Sequence, residues 1–417
     1  MRKEERILNA LTDVKEEYIE AVDLEEGVQG KSSRKGWKNS SKWIGLAASI
    51  AILVFVSTLI PENLFFDEPK DKEQFVTETE NSQQGQLDQN WAEGPNGENL
   101  LVIHAAFDFG AMGSGQVNED EIDSDSPWEA SMKIETLPVY RNLAYFSPAG
   151  EPVYLEREQL LSMVEDVAEK LGTKIVSWEY HAVQDKPEKG SDVYQITATT
   201  ELGEIQISGN GEVYITFSEG IELPKAYIIS DEASVEKANE TVVYLMKQFA
   251  DLIQIENYIA RTTVSYNLLG DRYMSYKATG YDSGINGILE YHFNKVYFYG
   301  DEEDKLFSLR YGDVRIAAEK LGDYPIITAE EAKQRLLDGK FVSILPESDV
   351  KGGVFSDENI KVVDLVYMTG SACQYYQPYY CFYAELEEEE WGYAQFYVPA
   401  LEAKYLSDYE ELYPLGN

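Results

Sequence analysis

Three rhythms of hydrophobic and polar positions run along this chain. Near its start, Ile7, Leu8, Leu11, Val14, Tyr18, Ile19 and Val22 recur at helical spacing with charges between them. Residues 4–24 therefore predict one amphipathic helix. From Trp43 to Ile60 the polar rhythm stops: WIGLAASIAILVFVSTLI carries no charge. At about 1.5 Å per residue this run is ~27 Å long, close to the hydrocarbon thickness of a bilayer, and predicts a single transmembrane helix ended by Pro61. Beyond a polar, turn-rich stretch over residues 61–136, which reads as a flexible stalk, helical and strand periods alternate to the end of the chain.

That alternation repeats. In the first copy, residues 137–222, Leu160, Leu161, Val164, Val167, Ala168 and Leu171 form a helical face that stops at Gly172. The strand-like runs KIVSWEYHAV, VYQITATTELG and EIQISGNGEVYITF follow, the last broken by a Gly-Asn-Gly turn. In the second copy, residues 223–312, Ser234 or Asp231 caps a helix carrying Val235, Ala238, Val242, Leu245, Met246 and Phe249. YIARTTVSYNLL, YMSYKATGYD and ILEYHFNKVYFY read as its strands. A third, divergent copy occupies residues 313–417. There Thr328 and Glu331 make a capping box, Gly339 closes the helix, and KVVDLVYM, PYYCFYAEL and WGYAQFYVPAL are strands. DVRIAAEKLG, between copies two and three, reads as a connecting helix. The predicted fold class is α+β: one transmembrane helix followed by tandem α-β-β-β units, each a helix packed on an antiparallel sheet.

Charge adds an orientation. Residues 1–42 hold nine basic and nine acidic side chains, so the net charge of −40 belongs to the chain beyond the apolar run. Lys31, Arg34, Lys35, Lys38 and Lys42 lie just before it. By the positive-inside rule residues 1–42 are cytosolic, an amphipathic helix and a basic linker, and the remainder is extracytoplasmic. A cleaved signal peptide fits poorly, because 42 residues precede the run and no A-x-A site follows. So acidic a surface repels nucleic acid. The apolar stripe of residues 4–24 calls for a protein partner on the cytosolic side, the alternative being a tail whose stripe goes unused.

Chemistry is sparse. His104, His181 and His292 stand far apart without metal-ligand spacing. Asp120, Glu121, Asp123 and Asp125 lack the register of a calcium loop and read as a solvated acidic stretch. Ser32/Lys35 and Ser234/Lys237 match S-x-x-K without its companion motifs, and no P-loop or nucleophile elbow occurs. Neither cofactor nor metal is expected. Cys373 and Cys381 are spaced for a disulfide across a hairpin, an open question in an oxidising compartment. Tyr375, Tyr376, Tyr379, Tyr383, Trp391 and Tyr393 crowd the last copy. Strand alternation sets Tyr379, Cys381 and Tyr383 on one face, Tyr380 and Phe382 on the other. One face is core; the other either presents an aromatic platform for a peptide or wall ligand or is covered in turn.

The helix ITAEEAKQRL heading an α-β-β-β unit, with VDLVYMTG, YYCFYAEL and YAQFYVPALEAKYL behind it, resembles the PepSY-like modules of exported bacterial proteins. The tandem, membrane-anchored layout is similar to that of the YycH and YycI regulators, which restrain a cell-wall histidine kinase. The start ILNALTDVKEEYIEAV, then basic residues and one anchor, looks like many single-pass proteins of Firmicutes. The resemblance implies binding or inhibition of partners rather than catalysis, and transfers no site residue. The function expected is thus a single-pass, extracytoplasmic binding or regulatory protein in the cell membrane, modulating a kinase, a sigma factor or an exported protein. The alternatives are a wall-active enzyme using paired carboxylates and a structural spacer.

Overall fold

Period-two alternation prevails: eighteen strands and five α-helices form among the described residues. The computed structural model describes residues 90–106, 116–122, 126–145, 152–182, 191–266, 271–343, 358–370, 373–385 and 392–412. The expected transmembrane helix at 43–60 and amphipathic helix at 4–24 lie outside them. Among the described residues no helix is long and apolar enough to cross a membrane.

In chain order come β1 (Trp91–Glu93), β2 (Asn99–Leu101), β3 (Gln116–Val117) and β4 (Thr136–Asn142). Helix α1 (Arg157–Leu171) leads into β5 (Ile175–Ala182), β6 (Val193–Thr200), β7 (Gly203–Ser208) and β8 (Val213–Ile221). Helix α2 (Val235–Gln248) and the single turn α3 (Ala250–Ile253) precede β9 (Tyr258–Ala260), β10 (Thr263–Tyr266) and β11 (Arg272–Gly280). Helix α4 (Gly284–Phe293) then passes directly into β12 (Asn294–Gly300) and β13 (Leu306–Asp313).

These last two groups do not form separate helix-on-sheet units. Strands β5 to β13 make one nine-stranded antiparallel sheet, because β13 pairs with β8. The two edges match in phase. Leu309 lies opposite Ile215 on the apolar face, and Arg310 opposite Tyr214 on the polar one, so joining satisfies both backbone edges without exposing apolar side chains. Helices α1 and α2 cover the apolar face. Leu160, Val164 and Val167 of α1 and Val242, Leu245 and Met246 of α2 share one core with Ile196, Ile205, Ile215, Phe298 and Leu309. Burying each such side chain contributes about 1.5–3 kcal/mol. Gly172, at φ 66°, ends α1 in the left-handed conformation that a side chain would strain.

The third expected unit is also replaced. β14 (Ala318–Pro325) pairs with β4, which in turn pairs with β16 (Tyr375–Tyr376). A second sheet has the order β15 (Ile360–Tyr367), β17 (Pro378–Glu385), β18 (Tyr393–Pro399), β3. Helix α5 (Ala329–Leu337) buries Ala332 and Leu336 in the core shared with Phe382, Phe396 and Val398. The segment DVRIAAEKLG, read as a helix, is one 3-10 turn (Val314–Ala317) running into β14, drawn into strand form by the open edge of β4. Conversely, α4 occupies sequence read as strand. Its Ile288, Leu289 and Phe293 pack into a core built largely from residues beyond 320, which no local pattern reveals. The predicted chain of α-β-β-β units is thereby corrected to a predominantly β architecture: among the described residues, one nine-stranded sheet and three smaller ones, the smallest being the β1–β2 pair.

Residues 90–106, placed in the stalk by composition, are structural as well. The Tyr324 hydroxyl donates to the Leu101 carbonyl at 2.9 Å and that of Tyr405 to Glu93 at 3.0 Å. Buried Asp408 accepts the N–H groups of Ala105 and Ala106 at 2.7 and 2.8 Å.

Candidate functional site

The aromatic cluster singled out in the sequence is core rather than platform. Tyr380 and Phe382 of β17 face the core containing α5. Tyr379, Cys381 and Tyr383 face the other way, but Val117, Val342, Val362 and Val366 close over them together with Tyr397. The Tyr379 hydroxyl donates to the Ala105 carbonyl at 2.6 Å. Tyr376 is buried too, Tyr375 and Tyr393 are half-buried, and Trp391 lies outside the described residues. What covers the second face comes from residues 116–122 and 342, distant in sequence from the strand they protect.

Cys373 and Cys381 are both free and buried, which corrects the hairpin disulfide considered above. Burial pushes the Cys381 thiol up to about 12 and raises that of Cys373, so neither is a thiolate near neutrality. The three histidines stay apart. His104 is exposed beside Asp408, its Nδ1 3.2 Å from Oδ2. His181 Nε2 meets Thr197 Oγ1 at 3.0 Å. His292 is buried with Nε2 3.2 Å from the Leu365 carbonyl, and desolvation holds its pKa well below the ordinary value. Among the described residues no group of His, Cys, Asp and Glu is arranged to hold a metal. Ser234 is an N-cap, its hydroxyl accepting from the Lys237 N–H at 3.2 Å.

A polar cavity of about 520 Å3 opens where α3, β11, α4 and the Val314–Ala317 turn converge. Its volume falls within the ~300–1,000 Å3 of ligand pockets. One wall is the turn after α3: Gln254, Ile255, Glu256 and Asn257. Gln254 is fixed there in the left-handed region, at φ 58°, because its N–H closes α3 on the Ala250 carbonyl at 2.9 Å. The facing wall is Tyr281, Asp282 and Asn286, at and before the first turn of α4. A backbone bond from Tyr281 N–H to the Asn257 carbonyl, 3.0 Å, ties the two walls together.

The floor is Glu290, Asn294 and Arg315. Arg315 Nε contacts both Asp313 oxygens, at 2.8 and 2.9 Å, while its Nη2 lies 2.6 Å from Asp313 Oδ2 and 2.6 Å from Glu290 Oε1. Asn294 Nδ2 donates to the other Glu290 oxygen at 3.1 Å. Desolvation would lower the Arg315 pKa, but its bonds to Asp313 and Glu290 hold it above the ordinary value, so the guanidinium is a fixed cation. Gly280 makes room for this arrangement: a Cβ there would stand 2.6 Å from Glu290 Oε2 and 3.1 Å from Glu290 Cβ.

The floor is thus internally paired, and in the walls Asp282 accepts from the Ser283 N–H at 2.7 Å. Gln254, Asn257 and Asn286 are exposed there, their amides open to solvent. Tyr281 is 57% exposed at the rim. A larger groove of about 880 Å3 follows the outside of α2 past Tyr227, Val235 and Lys237. There Lys237 Nζ binds Glu240 at 2.6 Å and lies 5.8 Å over the Tyr227 ring, and Asn239 Oδ1 accepts from the Thr262 N–H at 2.8 Å. On the helix-free face of the large sheet, Arg310 is likewise held by Glu212 at 2.7 and 2.9 Å. The cavity is therefore the better candidate. The sequence disperses its residues over some sixty positions without a motif, and Arg315 falls in the stretch read as a helix. Comparison with known proteins adds no assignment: no protein-family model matches the chain, and no curated protein matches it.

Proposed function

We propose that this protein is a membrane-anchored, extracytoplasmic binding protein that takes up a polar ligand in the cavity between α3 and α4 and passes occupancy to a partner on the cytosolic helix at 4–24. The observation that carries the reading is a polar concavity of ligand-pocket volume with an ion-locked floor of Arg315, Glu290 and Asn294. The anchor at 43–60 rests on its uncharged run and basic flank, and the outward side on the positive-inside rule. Binding is favoured over carboxylate catalysis because Glu290, the carboxylate on the floor, is engaged by Arg315 and Asn294, which leaves it poorly placed to move a proton.

The test is made on the full-length chain in detergent. An envelope extract of the producing cells should raise its melting temperature, and Asn257→Ala with Asn286→Ala, both at exposed positions, should abolish the rise. Absence of any shift with the unsubstituted chain overturns the reading. Protease applied to intact protoplasts should digest the C-terminal part; its protection would invert the topology.

A further inference from the structure

We propose that the outer edge of β5 takes up an extended basic peptide as a further strand of the nine-stranded sheet. The sheet ends there: among the described residues β5 pairs on one side only, with β6. An open edge offers a row of backbone donors and acceptors to any extended chain, and an edge meant to stay unused is blunted by Lys, by Pro or by a covering element. Between its two register shifts β5 runs regularly, Ser177 to His181 against Thr199 to Gln195, and this stretch holds neither Lys nor Pro. Helix α1 packs chiefly over β6 and β7, and four consecutive residues of β5, Val176 to Glu179, stay exposed. Val176, at the first shift, is 68% exposed and Trp178 is 47% exposed. Water satisfies an open amide but not these apolar surfaces, so covering them is favourable.

Register places the indole. Trp178 lies opposite Ala198 and Tyr180 opposite Ile196, both in the core under α1, so the two rings stand on the helix-covered side, 5.1 Å apart. Tyr180 is braced against α1, its hydroxyl donating to the Arg157 carbonyl at 2.9 Å. A strand added here sends alternate side chains to the Trp178 side and to the Glu179 side. Charge then selects the occupant. Arg157 is bound to Asp192 and Lys170 to Asp166, each at 2.7 Å. Burial raises the Tyr180 pKa, and the nearby carboxylates of Glu158 and Glu165 raise it further. Glu179, 3.7 Å from His181 Nε2, is largely exposed on the edge itself. Against these three acids stands Lys174, just before the strand. A basic segment meets an acidic excess, and Trp178 offers a ring face to its Lys or Arg side chains. A second copy of this chain brings the same acids to the same edge and is repelled. The edge is independent of the cavity, since β5 and β11 stand toward opposite ends of the strand order.

The probe is a fluorescent octapeptide of alternating Lys and Val, the length of β5, titrated into the full-length chain in detergent and read by anisotropy. It is expected to bind, and an alternating Glu–Val peptide to bind weaker by about tenfold or more. An analogue methylated on every backbone nitrogen keeps the charges and loses the donors, and it should not bind. Trp178→Ala and Glu179→Lys should each weaken the Lys–Val peptide about tenfold. Both positions are exposed, so the variants fold, as circular dichroism will verify. No binding, equal binding of the methylated or the Glu–Val peptide, or an affinity unchanged in both variants overturns the proposal, the last by putting the peptide elsewhere on the acidic surface. Self-association of the unliganded chain in sedimentation, lost in Trp178→Ala, would assign the edge to a second copy and overturn it as well.

Discussion

Gln254 carries the local cost of closing α3 in the left-handed conformation. A non-glycine residue at φ 58° loses on the order of 1 kcal/mol relative to a relaxed backbone, and such residues cluster at functional sites. Glycine is free of that penalty. Gln254→Gly is therefore expected to leave stability unchanged or raise it by up to ~1 kcal/mol in urea unfolding, while weakening ligand uptake because one wall amide is gone. A variant that is clearly destabilised would show that the Gln254 side chain serves the fold and not the site. The floor obeys a different logic. Arg315, Asp313 and Glu290 are half-buried ions, and removing one partner strands the others at a cost out of proportion to the pair itself.

At the level of elements, the caps were legible and the partners were not. The Thr328–Glu331 box forms as its spacing requires: Glu331 N–H donates to Thr328 Oγ1 at 3.2 Å, and Thr328 N–H to Glu331 Oε2 at 2.8 Å. The Thr328 N–H and hydroxyl, both donating to the Glu331 carboxylate, lower its pKa, so their contribution is present above the unfolded carboxylate value near pH 4.3 and fades as pH falls through the folded one. Thr328→Ala should cost about 1 kcal/mol at pH 7 and less at pH 3, read from urea midpoints; an equal loss at both would detach the cap from its carboxylate. Ser234 and Gly172 were legible for the same reason, since a cap is settled within four residues. Helix α4 was not. Gly284 and Gly287 weaken its helical signal, and its apolar face answers to Leu137, Tyr367 and Phe382, all in the same core but far along the chain. The join of β8 to β13 escaped for a like reason: each strand reads correctly alone, and only the matching phase of two edges makes them neighbours. The cavity inherits this blindness, because its walls meet only after α4 and the turn beyond α3 have been placed.

At the level of the molecule, many of the thirty tyrosines are a structural material. Many lie in cores with their hydroxyls spent on backbone carbonyls: Tyr367 to Pro138 at 2.8 Å, Tyr379 to Ala105 at 2.6 Å, Tyr380 to Ile327 at 2.8 Å. These bonds stitch β15 and β17 to β4, to the segment after β2, and to the start of α5. The arrangement ties stability to alkaline pH. Burial raises Tyr380 and Cys381 to about 12 and holds Tyr367, Tyr379 and Tyr397 well above 10, while the unfolded chain ionises near 8.5 for Cys and 10 for Tyr. Above those values the unfolded state binds fewer protons than the native one, so stability must fall as pH rises. The contribution is complete below about pH 8.5 and drains between there and the folded values, each group adding a slope of at most about 1.4 kcal/mol per pH unit. Urea unfolding of the full-length chain at intervals from pH 8 to 11 should show a midpoint that declines with increasing steepness, accompanied by cooperative appearance of tyrosinate absorbance. Tyr380→Phe should lower the midpoint at pH 8, through the lost bond to Ile327, yet flatten its decline above pH 10. A midpoint indifferent to pH across this range would mean that these hydroxyls meet solvent, and the closed aromatic core described for β17 would have to be abandoned.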